Sequence, residues 1–95
     1  MEKIKIENMI SSNGNKVANQ FTVTTPRGVY FQSYETLIAF KSSKGNAIYL
    51  DADCWDYSVT TGKYRNAFLG EAKKDTEKKI KNGVYVLTNL NEGGE

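Results

Sequence analysis

The hydrophobic pattern of this sequence changes its period once, near Trp55, and that change limits the folds open to the chain. Before it, apolar and polar residues alternate with period two in short runs, as in residues 21–25, and turn-forming residues separate the runs. After it, apolar residues recur at three- and four-residue spacing, as in Tyr64, Ala67 and Phe68. Strands followed by helices are typical of an α+β domain.

The first half of the chain predicts an antiparallel meander of four or five strands. Residues 3–7 alternate like a strand with one buried face, and the Asn-Gly pair at residues 13–14 marks a turn. Residues 19–33 predict a hairpin because a Pro-Arg-Gly turn divides two alternating runs. Residues 37–40 are apolar on both faces, which fits a central strand or a short helix, and residues 47–50 return after a further turn.

Two short helices are predicted in the second half. Thr60 or Thr61 can cap the first helix, and Gly70 ends it. The second helix is predicted over residues 74–82, with Gly83 ending it. Two acid-before-base pairs at i,i+4 spacing are expected to support it, Asp75 with Lys79 and Glu77 with Lys81.

Residues 84–87 predict a last strand that pairs back onto the meander. The predicted fold class is therefore α+β, with an antiparallel β-meander of four to five strands, two short helices near the C-terminus and a final strand. Residues 1–91 are expected to form one domain, and residues 92–95 a disordered acidic tail.

Size and cysteine content bound the class of protein. The chain has 95 residues, of which 39% are hydrophobic, which is ordinary for one globular domain. Cys54 is the single cysteine, so no internal disulfide can form, and a reducing compartment is expected. Residues 1–10 lack the apolar stretch of a signal peptide, and no apolar run approaches the ~20 residues of a membrane span. We therefore expect a cytoplasmic protein without a membrane partner.

Catalytic chemistry is poorly represented in this composition. The sequence has no histidine, which removes Ser–His and Cys–His pairs and most zinc sites. Asp51, Asp53 and Asp56 form one carboxylate cluster that could hold a metal ion, but its spacing lacks the glycine and closing glutamate of a calcium loop. We interpret it as a solvated strand end with a turn-forming Asp, and Cys54 as a small buried group. We expect no enzyme activity, no catalytic residue, no metal and no cofactor.

The segment from residue 60 to residue 91 carries seven basic residues against three acidic ones, a net charge of +4. Hydroxyls, cations and an amide near a helix N-terminus can hold a phosphate or an acidic partner surface. In the alternative interpretation a Thr caps the helix, Tyr64 packs inward, and Lys63 and Arg65 are solvated. The candidate binding residues are Thr60, Thr61, Lys63, Tyr64, Arg65, Asn66, Lys73, Lys74 and Lys78.

The two predicted helices also invite comparison with a helix-turn-helix. Asn66, Glu71 and Lys79 stand where that motif usually has small or apolar residues, which argues against it. The aromatic residues offer a second candidate interface, because six Tyr, four Phe and one Trp exceed what a small core needs. The tyrosines that can form it, if they share a solvent-facing surface, are Tyr30, Tyr34, Tyr49 and Tyr57.

From about residue 19 to residue 91 the chain resembles a family of small uncharacterised proteins from phages and mobile elements of Gram-positive bacteria. The stretches that carry the resemblance are residues 30–34, 55–58, 60–71 and 76–81, with Gly83 and Tyr85. The resemblance implies a phage or prophage setting, and hence a host cytoplasm, but no activity and no functional residue. The first eighteen residues are expected to be an additional strand outside the shared region.

These observations lead to three functional hypotheses. The first is a non-enzymatic phage-type accessory protein that binds and modulates or inhibits a host protein or nucleoprotein complex, for instance a CRISPR-type defence complex. The second is a basic nucleic-acid-binding module that uses the C-terminal helices. The third is a structural protein that assembles by pairing strand edges between copies. A monomer or a homodimer is expected.

Overall fold

A computed structural model describes residues 4–11, 13–56 and 58–91. The predicted tail at residues 92–95, and Tyr57 of the candidate aromatic interface, lie outside the described residues. Within the described ranges the chain forms six strands and two helices, which confirms the α+β class. They are β1 (Lys5–Ile10), β2 (Lys16–Thr25), β3 (Gly28–Ser33), β4 (Thr36–Ser42), β5 (Ile48–Asp51), α1 (Val59–Leu69), α2 (Lys73–Lys81) and β6 (Tyr85–Thr88).

The strands form one sheet in the order β1-β2-β3-β4-β5-β6. The first five strands pair antiparallel, as the meander predicts, whereas β6 pairs parallel to β5. A parallel pair cannot be joined by a tight turn and needs a crossover connection. Helices α1 and α2 supply that crossover, with α1 packing against β3 and α2 against β6. The two helices thus carry the chain back across the sheet, so that β6 can pair with β5 in the parallel direction.

The core lies between α1 and one face of the sheet. Phe31, Ala39 and Leu50 stand opposite one another on β3, β4 and β5, and all three are fully buried. The Phe31 ring packs on Phe68 of α1 with the ring centroids 5.8 Å apart. Tyr64 of α1 also belongs to this cluster. Burial of these side chains supplies the hydrophobic stabilisation of the domain.

Single residues define the two ends of α1. Ser58 caps α1, because its Oγ accepts a hydrogen bond of 3.0 Å from the backbone N–H of Thr61, so the predicted Thr cap is wrong. Gly70 ends α1 in the left-handed region with φ 73°, as predicted.

The predicted ion pairs of α2, Asp75 with Lys79 and Glu77 with Lys81, are wrong. Lys79 binds Glu71, and Glu77 lies 4.0 Å from Lys73.

Gly28 is a position where the sheet tolerates no side chain. Its φ is 149°, and a Cβ there would lie 2.1 Å from the carbonyl oxygen of Lys41 and 2.7 Å from the Phe40 ring. We expect Gly28→Ala to lower the free energy of unfolding by about 2–3 kcal/mol, because overpacking adds to a strained φ. Urea denaturation measures this loss.

Gly45→Ala is the matched control for this prediction. Gly45 also has a positive φ of 70°, but a Cβ there would meet no heavy atom within 4 Å. Gly45→Ala should therefore lower the free energy of unfolding by only about 1 kcal/mol, the cost of the left-handed conformation for alanine. Equal losses for the two variants would mean that the close contact at Gly28 does not matter.

Candidate functional site

The residues of the predicted binding segment lie at different depths. Thr61 and Tyr64 are buried, and Thr61 Oγ1 shares a hydrogen bond of 3.0 Å with Ser33 Oγ of β3. Thr60 and Lys63 are exposed. Thr61 and Tyr64 therefore hold α1 on the sheet. Because both side chains are buried, they offer no exposed surface to a partner, and their role in binding stays a prediction.

Arg65 is the most deeply buried cation of the described chain, with 1% of the residue exposed. One terminal nitrogen donates to the carbonyl oxygen of Trp55 at 2.7 Å and to Asp56 at 3.3 Å, and the other donates to Asn66 at 3.0 Å. The guanidinium also lies 5.1 Å from the centre of the Trp55 ring. The expectation that Arg65 is solvated is therefore wrong. It ties the loop after β5 to α1.

Asp56 joins this cluster from the loop. Lys73 holds it with a contact of 2.7 Å, and Arg65 lies on its other oxygen. The pKa of Asp56 is lowered, first by the hydrogen bond from Lys73 and then by Arg65, while burial opposes ionisation. A shallow groove beside α1 brings together Lys63, Arg65, Asn66 and Lys73. Asp56 carries one negative charge against three cations, so the groove keeps a net charge of +2, but within the described residues only Lys63 has no carboxylate partner there.

The lysines of α2 differ in their surroundings. Lys73 is paired, whereas Lys74 and Lys78 are exposed and have no carboxylate within 4.0 Å in the part of the chain that the structure describes. Together with Lys63 they are what remains exposed and unpaired of the predicted basic surface. The helices pack on separate strands, β3 and β6. The nucleic-acid hypothesis is thus restricted to these exposed lysines.

The carboxylate cluster predicted from the sequence is divided in the structure. Asp51 is buried rather than solvated, and its oxygens accept hydrogen bonds from the backbone N–H groups of Asp53, Cys54 and Leu90, the last at 2.8 Å. Cys54 is half-buried. Burial, reinforced by Asp51, raises the pKa of its thiol, so the thiolate form is disfavoured at neutral pH. Asp51 organises the turn after β5 and anchors residue 90.

Asp51 makes the stability of the domain depend on pH. Burial opposes its ionisation, but the hydrogen bonds from Leu90, Cys54 and their neighbours outweigh burial and lower its pKa. A lowered pKa in the folded state stabilises the protein above the ordinary value of about 4, and this stabilisation is lost as pH falls through the lower, folded value. We expect Asp51→Asn to be destabilised at pH 7 and to lose less further stability between pH 4 and pH 2.

Urea denaturation across this pH range measures the effect, with Asp53→Asn as the control. Asp53 is an exposed neighbour on the same turn. Its replacement should leave the shape of the stability profile as in the wild type. A profile of Asp51→Asn parallel to that of the wild type would contradict the assignment.

The face of the sheet away from the helices carries a continuous apolar row. Each strand contributes one side chain, and successive members stand directly opposite each other in the register. Side chains on a strand alternate between faces, so the row points away from Phe31 and the core. We call this row the open face; its members are Ile6, Val23, Tyr30, Phe40, Tyr49 and Val86.

The open face is solvent-accessible and its aromatic centre is ordered by ring contacts. The Tyr30 and Phe40 rings stack with centroids 4.3 Å apart, and Phe40 and Tyr49 follow at 6.2 Å. At the ends of the row, Ile6 is 64% exposed and Val86 46% exposed. A solvated face of an antiparallel sheet normally alternates to polar residues. An apolar row on the uncovered face of a sheet is therefore a candidate interaction surface.

The candidate tyrosines divide between this row and other places. Tyr30 and Tyr49 lie in the open face, on either side of Phe40. Tyr34 is exposed in the turn between β3 and β4, with a positive φ of 57°. Of the row, sequence reasoning missed the four members that are not tyrosines. Sequence signals pointed to two of these four, the alternation of residues 3–7 to Ile6 and the two apolar faces of residues 37–40 to Phe40.

The fold and the open face define a small α+β domain whose sheet is covered on one side within the described ranges. Residues 4–83 match the model of a family of unknown function, DUF8033, and the chain belongs to that family. The match includes β1, which was expected to lie outside the shared region. No curated protein and no solved structure matches the chain. In the described part of the chain, no helix has the length and apolar character to cross a membrane.

Proposed function

We propose that this chain is a non-enzymatic accessory protein of phage type that binds a host macromolecule through the open face. The uncovered apolar row carries the proposal, because it runs from β1 to β6 without a charged residue. Phe31 and Leu50 are buried on one side of the sheet, whereas Phe40 and Tyr49 on the other side pack against neighbouring strands but remain partly exposed. We attribute the exposed part of this second apolar face to binding.

The composition of the open face supports a protein partner. Apolar and aromatic residues form its centre, and the neighbouring row on the same face has uncharged polar residues, Asn8 and Gln32, on either side of Phe21. An apolar centre with a polar rim is the usual anatomy of a protein interface. Aromatic side chains also lose little conformational entropy on binding, which makes Tyr30 and Tyr49 suitable anchors.

Occlusion is the proposed mode of action. A sheet of six strands about 4.8 Å apart presents a face roughly 24 Å across. A patch of that size can cover a functional surface of the partner without chemistry. The partner we propose is a host protein or nucleoprotein complex, of which a CRISPR-type defence complex is one example. The partner is then inhibited or modulated by being covered.

Site-specific photo-crosslinking tests the proposal. A photoreactive amino acid is placed at Val86, in the open face, and separately at Val59 of α1, which is 92% exposed and lies outside it. Both proteins are exposed to lysate of a Gram-positive host, with and without nuclease. We expect Val86 to capture one protein in stoichiometric amount, insensitive to nuclease, and Val59 to capture none.

Besides the absence of any protein crosslink from Val86, three results would contradict the proposal. Capture from Val59 alone would place the interface on the helices. Crosslinks to nucleic acid that vanish with nuclease would favour the basic module of the second hypothesis. Crosslinks between two copies of the chain, with sedimentation showing a concentration-dependent dimer, would favour self-assembly.

A further inference from the structure

A shallow groove lies along one margin of the open face. It is formed between the turn that joins β2 to β3 and the turn that joins β4 to β5. Three members of the row, Tyr30, Phe40 and Tyr49, form part of its lining. Two cations, Arg27 and Lys44, line it from the turns.

Hydrogen bonds fix the two turns to each other. The backbone N–H and the Oγ of Ser43 both donate to the carbonyl oxygen of Arg27 at 2.9 Å. The N–H of Arg27 donates to Thr25 Oγ1 at 3.1 Å, and the N–H of Lys44 donates to Ser42 Oγ at 3.1 Å. The backbones that carry both cations are therefore held in place before any partner binds, which lowers the entropy lost on binding.

The charge of the groove is uncompensated. Arg27 and Lys44 are exposed, and among the described residues no carboxylate lies within 4.0 Å of either. No Asp or Glu lines the groove. Arg65, Lys73 and Lys79, by contrast, are each paired with a carboxylate. Two free cations beside an apolar row attract a partner that carries negative charge.

The aromatic rings distinguish between two kinds of anionic partner. Tyr30 and Phe40 stack at 4.3 Å with 28° between their planes, so the ring faces that meet are not available to a nucleobase. Ring edges carry partial positive charge, and tyrosine hydroxyls are donors. Both suit carboxylate, carbonyl and phosphate oxygens, so the choice between the two partners rests on the stacked ring faces. The geometry therefore favours an acidic protein surface over single-stranded nucleic acid.

We infer that the partner presents an acidic and apolar segment, whose apolar side chains cover the open face while its carboxylates bind Arg27 and Lys44. Arg27 can hold a carboxylate through two parallel hydrogen bonds, and Lys44 acts as a point charge. This inference rests on the proposed function, because it specifies the chemistry of the partner at the same face.

Fluorescence anisotropy with defined probes tests the inference. The probes are three labelled peptides of equal length, in which Leu and Phe alternate with Glu, with Ser or with Lys, and a labelled oligothymidine of matched length. We expect the wild type to bind the Glu peptide about tenfold more tightly than the Ser peptide, and the Lys peptide most weakly. Added salt should reduce the preference for Glu.

Two double variants of equal charge locate the effect. Arg27→Glu with Lys44→Glu should weaken binding of the Glu peptide roughly tenfold and favour the Lys peptide. Lys16→Glu with Lys81→Glu changes the net charge equally at two exposed positions away from the groove, and should stay within about twofold of the wild type.

The inference is overturned if no peptide binds, if oligothymidine binds more tightly than the Glu peptide, or if the two double variants lose affinity equally. The proposed function fails on a different result, the absence of a protein crosslink from Val86. Another outcome is that Val86 captures a host protein while the order of peptide affinities does not depend on Arg27 and Lys44. In that case the proposed function stands, and the inference that the partner is acidic fails.

Discussion

Arg65→Met is expected to lower the free energy of unfolding by about 3 kcal/mol, a large share of the stability of a domain of this size. The change leaves the carbonyl oxygen of Trp55 and one oxygen of Asp56 without their donor in a half-buried loop. Lys73 still holds Asp56, so the loss falls at the lower end of what removal of one partner of a buried ion pair causes. Urea denaturation at pH 7 measures it.

Two further variants make this prediction specific. Arg65→Lys should recover less than half of the loss, because an ammonium cannot reach Trp55, Asp56 and Asn66 together. Lys63→Met, an exposed position on the same helix, should change the stability by no more than about 0.5 kcal/mol. If Arg65→Met stays within about 1 kcal/mol of the wild type, Arg65 does not hold the loop on α1.

Local signals in the sequence account for the part of the fold that could be predicted. Period-two runs and turn residues predicted four or five meander strands, with residues 37–40 left open between a strand and a short helix, and the structure has five. Gly70 correctly predicted the end of α1, because such signals depend on residues a few positions apart. The start of α1 was missed for a different reason. Ser58, Thr60 and Thr61 can all cap a helix, but in the structure the Thr61 hydroxyl is hydrogen-bonded to Ser33, 28 residues away, which local sequence does not reveal.

The charged residues show the same dependence on distant contacts. The i,i+4 spacing predicted that Lys79 pairs with Asp75. In the structure Lys79 pairs instead with Glu71, which precedes α2. From the sequence Arg65 was expected to be a solvated cation. In the structure the loop after β5 supplies two acceptors for it, the carbonyl oxygen of Trp55 and a carboxylate oxygen of Asp56. Neither outcome follows from i,i+4 spacing, because the partners are eight to ten residues apart and meet only through the path of the chain between β5 and β6.

The open face could be predicted only in part, because its exposure also depends on distant contacts. The alternation of residues 3–7 correctly gave a strand, and the apolar side was expected to be buried. In the structure Ile6 points away from the core and is exposed. Periodicity shows that a face is apolar, but not what covers it. The register of all six strands is needed to show that Ile6 continues through Tyr30 and Phe40 to Val86.

The largest functional effect is expected from removing two rings of the open face together. Tyr30→Ser with Tyr49→Ser should weaken binding of the partner captured through Val86 by at least about 100-fold, because buried aromatic anchors contribute about 2 kcal/mol or more each to an interface. Both side chains are only half-buried in the free chain, so the loss of stability should be about 1–2 kcal/mol. Phe40 is retained because its ring lies against Gly28.

Isothermal titration calorimetry measures the affinity and adds a second readout. Burial of an apolar row should give a negative change in heat capacity that shrinks in the double variant. Tyr34→Ser is the control, because Tyr34 is exposed in the turn between β3 and β4 and lies off the row. An equal loss of affinity in Tyr34→Ser, or binding by the double variant within about threefold of the wild type, would move the interface away from the open face. With both Tyr30 and Tyr49 removed, retained affinity would leave the second apolar side of the sheet without a role in binding.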